Sequence, residues 1–181
     1  MPERRERQGT VAMYMYGNPD SQFDDITVTD GGGVVLNENF DDGDMLGWTI
    51  VDEGTLSGVP SNWLMLADVV GFRVTQTTNI YGPNFTDIGR EGTFAYWDAA
   101  PALQWANYTV EATLHTTDND GVGLMFYYTD LDNYYKVDFD IQRNFYKIFR
   151  MLDGQETTLA VMAGTHPDDV DFDVCVNINN G

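Results

Sequence analysis

Two alternating segments joined by an acidic turn occupy the middle of the chain, between residues 118 and 141. Apolar side chains stand at every second position of both segments: Val122, Leu124, Phe126 and Tyr128 in the first, and Tyr135, Val137, Phe139 and Ile141 in the second. A two-residue period places such a set on one face of a β-strand. The pattern therefore predicts an antiparallel hairpin with one buried face.

The opposite face of the second strand carries Tyr134, Lys136, Asp138 and Asp140. This strip is either ordinary solvated surface, where Tyr, Lys and Asp pair across strands, or the floor of a binding groove. Carbohydrate recognition uses an aromatic plane together with hydrogen-bonding groups in a concave site. We therefore take these four residues, with Tyr127 and Tyr146 from the neighbouring strands, as candidate glycan contacts.

Short alternating segments recur along the whole chain, and no stretch shows sustained helical periodicity. They cover residues 10–16, 23–28, 92–97, 108–115, 145–152, 157–162 and 172–178, with turn-forming residues between them. Strands at this spacing predict an all-β fold, an antiparallel β-sandwich of the jelly-roll type.

The charge of the chain restricts its partners. Lys and Arg number 9 against 29 Asp and Glu, giving a formal net charge of -20. Such a chain repels nucleic acid and anionic lipid surfaces, and it contains no apolar run of membrane-spanning length. Cations and neutral sugars are the partners that remain favourable.

Cys175 is the only cysteine, which excludes an internal disulfide.

Several short motifs resemble the concanavalin A-like lectin/glucanase superfamily, with the laminin-G-like and thrombospondin C-terminal-like modules nearest. They are the run from Phe40 to Asp44 with Gly47 and Trp48, the run from Ser61 to Trp63, and the predicted hairpin with Asn133. The resemblance covers most of residues 34–180. It implies a jelly roll inside a secreted multidomain protein, located outside the cell or on its surface, with any signal sequence outside this chain.

The order of the parts departs from that family. Residues 9–28 resemble the closing strands of such a module, yet they stand before its opening strand, with a glycine run at 31–33 that reads as a linker. The predicted division is 1–30 as closing strands, 31–33 as linker, and 34–181 as a module lacking its last strands. The chain is either a segment of a tandem array, holding the end of one repeat and most of the next, or a permuted module. Residues 9–28 would then fill a sheet in cis, or in a neighbouring chain through self-association.

Calcium is the cofactor that the resemblance implies, since related jelly rolls bridge the opening loop and the last strand with this ion. The corresponding carboxylates are those of Asp25, Asp41, Asp42 and Asp44. A weaker second cluster consists of Asp118, Asn119, Asp120, Asp130 and Asp132. Calcium prefers oxygen ligands of this kind, although Asp-rich runs are also ordinary turn formers.

The expected function is a non-catalytic carbohydrate-binding or adhesive module that recognises a glycan or cell-surface polysaccharide. A polysaccharide-degrading hydrolase or lyase is the first alternative. The glutamate pair of the family's glucanases is missing, however, and the Tyr134–Lys136 run only faintly resembles a lyase strand. The second alternative is a structural repeat that self-associates by strand complementation.

Overall fold

A computed structural model describes residues 7–83 and 90–179, and it is built of β-strands in two packed antiparallel sheets. The strands are β1 (Thr10–Tyr16), β2 (Ser21–Asp30), β3 (Gly33–Glu38), β4 (Trp48–Asp52), β5 (Trp63–Ala67), β6 (Phe72–Gln76), β7 (Thr93–Trp97), β8 (Tyr108–His115), β9 (Gly121–Asp130), β10 (Asn133–Asp140), β11 (Phe145–Leu152), β12 (Gln155–Met162) and β13 (Phe172–Ile178). A 3₁₀ helix spans Ala100–Gln104. The predicted antiparallel β-sandwich is confirmed.

One sheet has seven strands in the order β12-β11-β10-β9-β1-β7-β4. The other has six: five follow the order β13-β8-β2-β6-β5, and the sixth, β3, pairs with β2. The main core lies between the sheets, where Met13, Phe23, Val110 and Leu124 are almost fully buried. Within the described ranges, no helix has the length and apolarity that crossing a lipid bilayer requires.

The two N-terminal strands occupy interior positions of the two sheets. β1 pairs with β7 and β9, and β2 pairs with β8, β6 and β3. Residues 9–28 thus complete the sheets of their own chain. Asp30 pairs with Gly33, so Gly31 and Gly32 form the turn of the β2–β3 hairpin where the sequence had suggested a linker.

The central hairpin forms as predicted, with Leu124 opposite Val137 in the β9–β10 register. Its first strand contains an irregularity that the alternation did not predict. The register of β9 against β1 shifts by one residue between Thr10 and Ala12, and Tyr127 adopts a positive φ of 50°. An extra residue in one strand reverses the side-chain alternation beyond it. Tyr127 therefore packs in the inter-sheet core, and Tyr128 lies on the opposite face, contrary to the predicted pattern.

The seven-stranded sheet is covered on both faces. Its outer face, turned away from the six-stranded sheet, holds a second apolar cluster formed by Ala12, Tyr14, Tyr16, Phe94, Met125, Tyr128, Tyr134 and Phe149. Antiparallel sheets commonly leave one face to solvent. Here the outer face is instead a second, smaller core, and it contains the strip that the sequence suggested as a binding surface.

Candidate functional site

The strip on β10 is buried. Tyr134 is 3 % exposed, and Lys136, Asp138 and Asp140 are each 0 % exposed. The expectation that this strip faces solvent or an open groove is therefore wrong, because the second apolar cluster and Arg90 cover it. Whether these residues contact a ligand is a separate matter and stays a prediction.

The other two predicted glycan contacts lie on the opposite face of the same sheet. Tyr127 packs edge-on against Tyr108 at 5.7 Å between ring centroids, and its hydroxyl donates to the carbonyl of Ala106. Tyr146 stands opposite Phe139, with their rings 5.1 Å apart. The six predicted residues therefore do not converge on one surface.

Arg90 lies over the buried strip and is itself only 3 % exposed. Its guanidinium forms an ion pair with Asp140. Its backbone carbonyl accepts hydrogen bonds from the Tyr14 hydroxyl at 2.8 Å and from Lys136 Nζ at 3.2 Å. We call this region, formed by Arg90, Tyr14, Lys136, Asp138 and Asp140, the polar face.

Burial changes the acidity of the groups on the polar face. Loss of solvent raises the pKa of Asp138 to about 6, against the opposing attraction of Lys136 and Arg90. Loss of solvent also lowers the pKa of Lys136 to about 8. The ammonium of Lys136 stands 3.4 Å from the centre of the Tyr14 ring, a cation–π contact that partly replaces its lost hydration.

The four carboxylates predicted to bind calcium do not gather around one point. Asp42 and Asp44 accept hydrogen bonds from backbone amides of their own loop, those of Asp44 and Leu46. Asp41 accepts one from the Asn39 side chain at 2.7 Å. In the described part of the chain, no three or more His, Cys, Asp or Glu side chains are placed to hold a metal ion. The residues as arranged do not fit calcium, and calcium binding stays a prediction.

The second acidic cluster is divided by a strand. Asp118 and Asp120 precede β9, whereas Asp130 and Asp132 lie at its far end. Ten residues of extended strand hold the two halves roughly 30 Å apart. These carboxylates cannot share one ion.

A cleft of about 660 Å³ opens on the outer face of the six-stranded sheet. We call it the acidic cleft; Gln22, Asp24, Asp25, Asn39, Asp41, Asp68, Val69, Val70, Arg73, His115 and Asp171 line it. Two of the predicted calcium ligands, Asp25 and Asp41, are in this set. Val69 and Val70, at the β5–β6 turn, are 97 % and 79 % exposed. The lining thus combines carboxylates, amides, one imidazole and a small apolar rim.

Arg73 on β6 contacts three carboxylates of the acidic cleft. Its two terminal nitrogens each lie 2.7 Å from an oxygen of Asp171, in a bidentate pair. Its Nε lies 2.5 Å from Asp68 and 3.7 Å from Asp24. The hydrogen bond from Arg73 lowers the pKa of Asp171 to about 2, whereas burial raises the pKa of Asp24. Two carboxyl groups of one cleft are therefore shifted in opposite directions.

His115 faces outward from β8, and its Nδ1 lies 2.9 Å from Asp171. Sequence reasoning did not single out Arg73, Asp68 or Asp171, which come from distant parts of the chain. One sequence signal could have indicated the cleft: Asp24 and His115 each directly follow a core-facing residue, Phe23 and Leu114 respectively. Two polar side chains on the outer face of paired strands mark a shared surface.

Comparison of the chain with protein-family models, with characterised proteins and with solved structures gave no match. The β-sandwich is therefore established by the structure alone, and the resemblance to the concanavalin A-like superfamily remains an expectation from short motifs.

Proposed function

We propose that this chain is a non-catalytic binding module with a concanavalin A-like β-sandwich, that it acts outside the cell or on its surface, and that it holds a glycan in the acidic cleft. The observation that carries the proposal is the cleft itself. Its volume of about 660 Å³ lies within the ordinary range of ligand sites, and the polar groups on its lining converge.

The chemistry of the lining favours a neutral polyhydroxylated ligand. Sugar hydroxyls can donate to carboxylates and to amide oxygens, and they can accept from amide and guanidinium N–H groups. The exposed rim of Val69 and Val70 offers an apolar surface to the C–H face of a sugar ring. The excess of carboxylates over Arg73 disfavours uronate, sulfate and phosphate groups.

Binding of a panel of neutral and acidic oligosaccharides, measured by calorimetry, tests the proposal. Asp25 is exposed and lines the cleft, and we expect Asp25→Asn to weaken binding of a neutral glycan about tenfold, since a hydrogen bond to a charged group contributes roughly 1.5 to 3 kcal/mol. Asp153→Asn, in the exposed turn after β11, is the matched control and should leave affinity unchanged. Absence of binding across the panel, or equal loss in the control, would reject the proposal.

A polysaccharide hydrolase is the second candidate, favoured by the opposite pKa shifts of Asp24 and Asp171. Pairs of carboxyl groups in contrasting environments are typical of acid–base catalysis. Both groups are nevertheless engaged by the same guanidinium, which favours a binding role. Release of reducing ends by the wild type, abolished in Asp24→Asn, would establish the enzyme instead.

Calcium dependence is tested separately. If the ion belongs to the folded module, calcium chloride should raise the melting temperature above the value in an equal concentration of magnesium chloride, because a ligand of the native state stabilises it. Equal melting temperatures in the two salts would remove calcium from the proposal. The proposal of glycan binding would not be affected, because it rests on the acidic cleft and not on calcium.

A further inference from the structure

The polar face is independent of the acidic cleft, since it lies on the outer side of the other sheet. The proposed function makes no use of it. It holds ionisable groups that are almost completely removed from water: Lys136, Asp138 and Asp140 are 0 % exposed and Arg90 is 3 % exposed. Burying charges without full pairing is costly, and structural cores rarely contain such a set.

Arg90 is held in the manner of a bound ligand. Its guanidinium carbon lies 4.9 Å from the centre of the Tyr16 ring and 5.3 Å from the centre of the Phe145 ring. Asp140 supplies the anionic partner. Aromatic faces combined with a carboxylate are the surroundings by which proteins recognise guanidinium and ammonium groups.

The backbone beneath Arg90 provides the space for this side chain. Gly121 on β9 faces the guanidinium, and a Cβ at that position would stand 3.4 Å from Arg90 Nη1 and 2.7 Å from Asp138 Oδ1. A side chain at Gly121 would therefore press against both charged groups. The glycine leaves room for a planar cation against the sheet.

Arg90 leaves some polar atoms of the polar face without a hydrogen bond. Both carboxylate oxygens of Asp138, and Nε and Nη2 of Arg90, are buried without a hydrogen-bond partner among the described residues. A buried carboxylate with no donor costs the full loss of its hydration. The carboxylate of Asp138 can therefore still accept hydrogen bonds that the Arg90 side chain does not donate.

Acidic groups outnumber basic groups in the charge network of the polar face, which consists of its ion pairs and of the charges that act on Lys136 and Asp138. Its acidic members are Glu53, Asp120, Asp138, Asp140 and Glu156, and its basic members are Arg90, Lys136, Arg143 and Lys147. Without Arg90, the network would have two more negative than positive groups. Such a site attracts a cation and repels an anion.

We propose that the polar face is a binding site for an organic cation with a guanidinium or primary ammonium group, and that Arg90 of the same chain occupies it as an intramolecular ligand. Asp140, Tyr16 and Phe145 hold the cation, and Asp138 is available to a ligand that offers a second donor. A tethered group competes at a high effective concentration. The wild type should therefore exclude a small cation that a variant lacking Arg90 accepts.

Ethylguanidinium is the probe, and the neutral, similarly shaped N-ethylurea is its control. In Arg90→Ala, we expect a saturable rise in melting temperature with ethylguanidinium, about 3 to 6 °C at ten times Kd. The wild type should show no such rise, and N-ethylurea should produce none in either protein. In the double variant Arg90→Ala, Asp138→Asn, the affinity for ethylguanidinium should fall about tenfold, because a charged acceptor has been lost.

Three results would overturn the proposal: equal stabilisation of wild type and Arg90→Ala, equal effects of the two additives, or unchanged affinity in the double variant. If Arg90→Ala does not fold alone, recovery of its β-sheet circular dichroism during refolding becomes the measurement. Recovery in ethylguanidinium but not in N-ethylurea supports the site. Recovery in both additives, or in neither, rejects it.

Discussion

Asp138 occupies an environment that disfavours its ionised form, and the stability of the protein should therefore depend on its charge. It is fully buried, and its oxygens have no hydrogen-bond donor among the residues described. Burial raises its pKa from an ordinary value of 3.8 to about 6. A folded-state pKa above the unfolded value contributes stability below the unfolded pKa, and that contribution is lost as the pH rises through the folded pKa.

We therefore expect Asp138→Asn to be more stable than the wild type at pH 7.5, by up to about 3 kcal/mol, since one pKa unit corresponds to about 1.4 kcal/mol. The difference should shrink to about 0.5 kcal/mol near pH 4, where the folded-state carboxyl is protonated and the unfolded-state carboxyl is close to its pKa of 3.8. Urea unfolding at both pH values measures it. Asp153→Asn, on the surface, should differ from the wild type by the same small amount at both. A wild type that gains stability between pH 4 and 7 relative to Asp138→Asn would contradict this account.

At the scale of single elements, Gly31 and Gly33 of the β2–β3 hairpin have different conformational requirements. Gly33 has a φ of 122°, a region that side chains other than glycine rarely adopt, whereas Gly31 has no atom within 4 Å of an added Cβ and no positive φ. Gly33→Ala should therefore lower the free energy of unfolding by roughly 1 to 3 kcal/mol, and Gly31→Ala should not lower it. Chemical denaturation of both variants measures the difference. Equal losses would show that the turn does not depend on the backbone conformation of Gly33.

Alternation predicted the long strands and β7 but missed three other strands of five residues. β8, β11 and β13 have the predicted bounds, because each alternates over seven or more residues. β4, β5 and β6 were not predicted; each has five residues, and β4 and β5 lie at sheet edges, where a run such as Trp63–Ala67 need not alternate. Over five residues, the alternation of apolar and polar side chains is too short to distinguish a strand from a loop.

The candidate site was less predictable than the strands. Alternation separated the two faces of β10 correctly but could not show that Arg90, 46 positions before Lys136, would cover one of them. It also could not locate the bulge at Tyr127, which moved an expected surface tyrosine into the core. The pairing of Arg73 with Asp171, 98 positions apart, depends on packing that no local motif encodes.

At the scale of the whole molecule, the interior positions of β1 and β2 mean that residues 9–28 belong to the same folding unit as the rest. Tyr108 connects the two ends of that unit: it pairs with Ile178 in β13, and its hydroxyl donates to the carbonyl of Gly9 at 3.3 Å. A linker of about six residues reaches up to ~20 Å. We therefore expect a circular permutant that begins at Gly32 and carries residues 8–31 after Asn179 to fold.

The matched control for that permutant is residues 32–179 without the reattached segment. Removing interior strands from both sheets exposes their edges and the core, so this fragment should lack a cooperative thermal transition and should aggregate. Near-ultraviolet circular dichroism and calorimetry distinguish the two proteins. A fragment that unfolds cooperatively by itself would show that the N-terminal strands are dispensable, as the tandem-array interpretation requires.

The position of β1 also determines when the protein can mature during its synthesis. Its partners lie in residues 93–97 and 121–128, so β1 leaves the ribosome before either of its neighbouring strands, and more than a hundred further residues must be translated before β9 can pair with it. Before those segments are translated, β1 has no strand to pair with on either edge, and pairings between such distant segments form slowly. We therefore expect the nascent chain to fold better in the presence of a chaperone that shields early apolar strands.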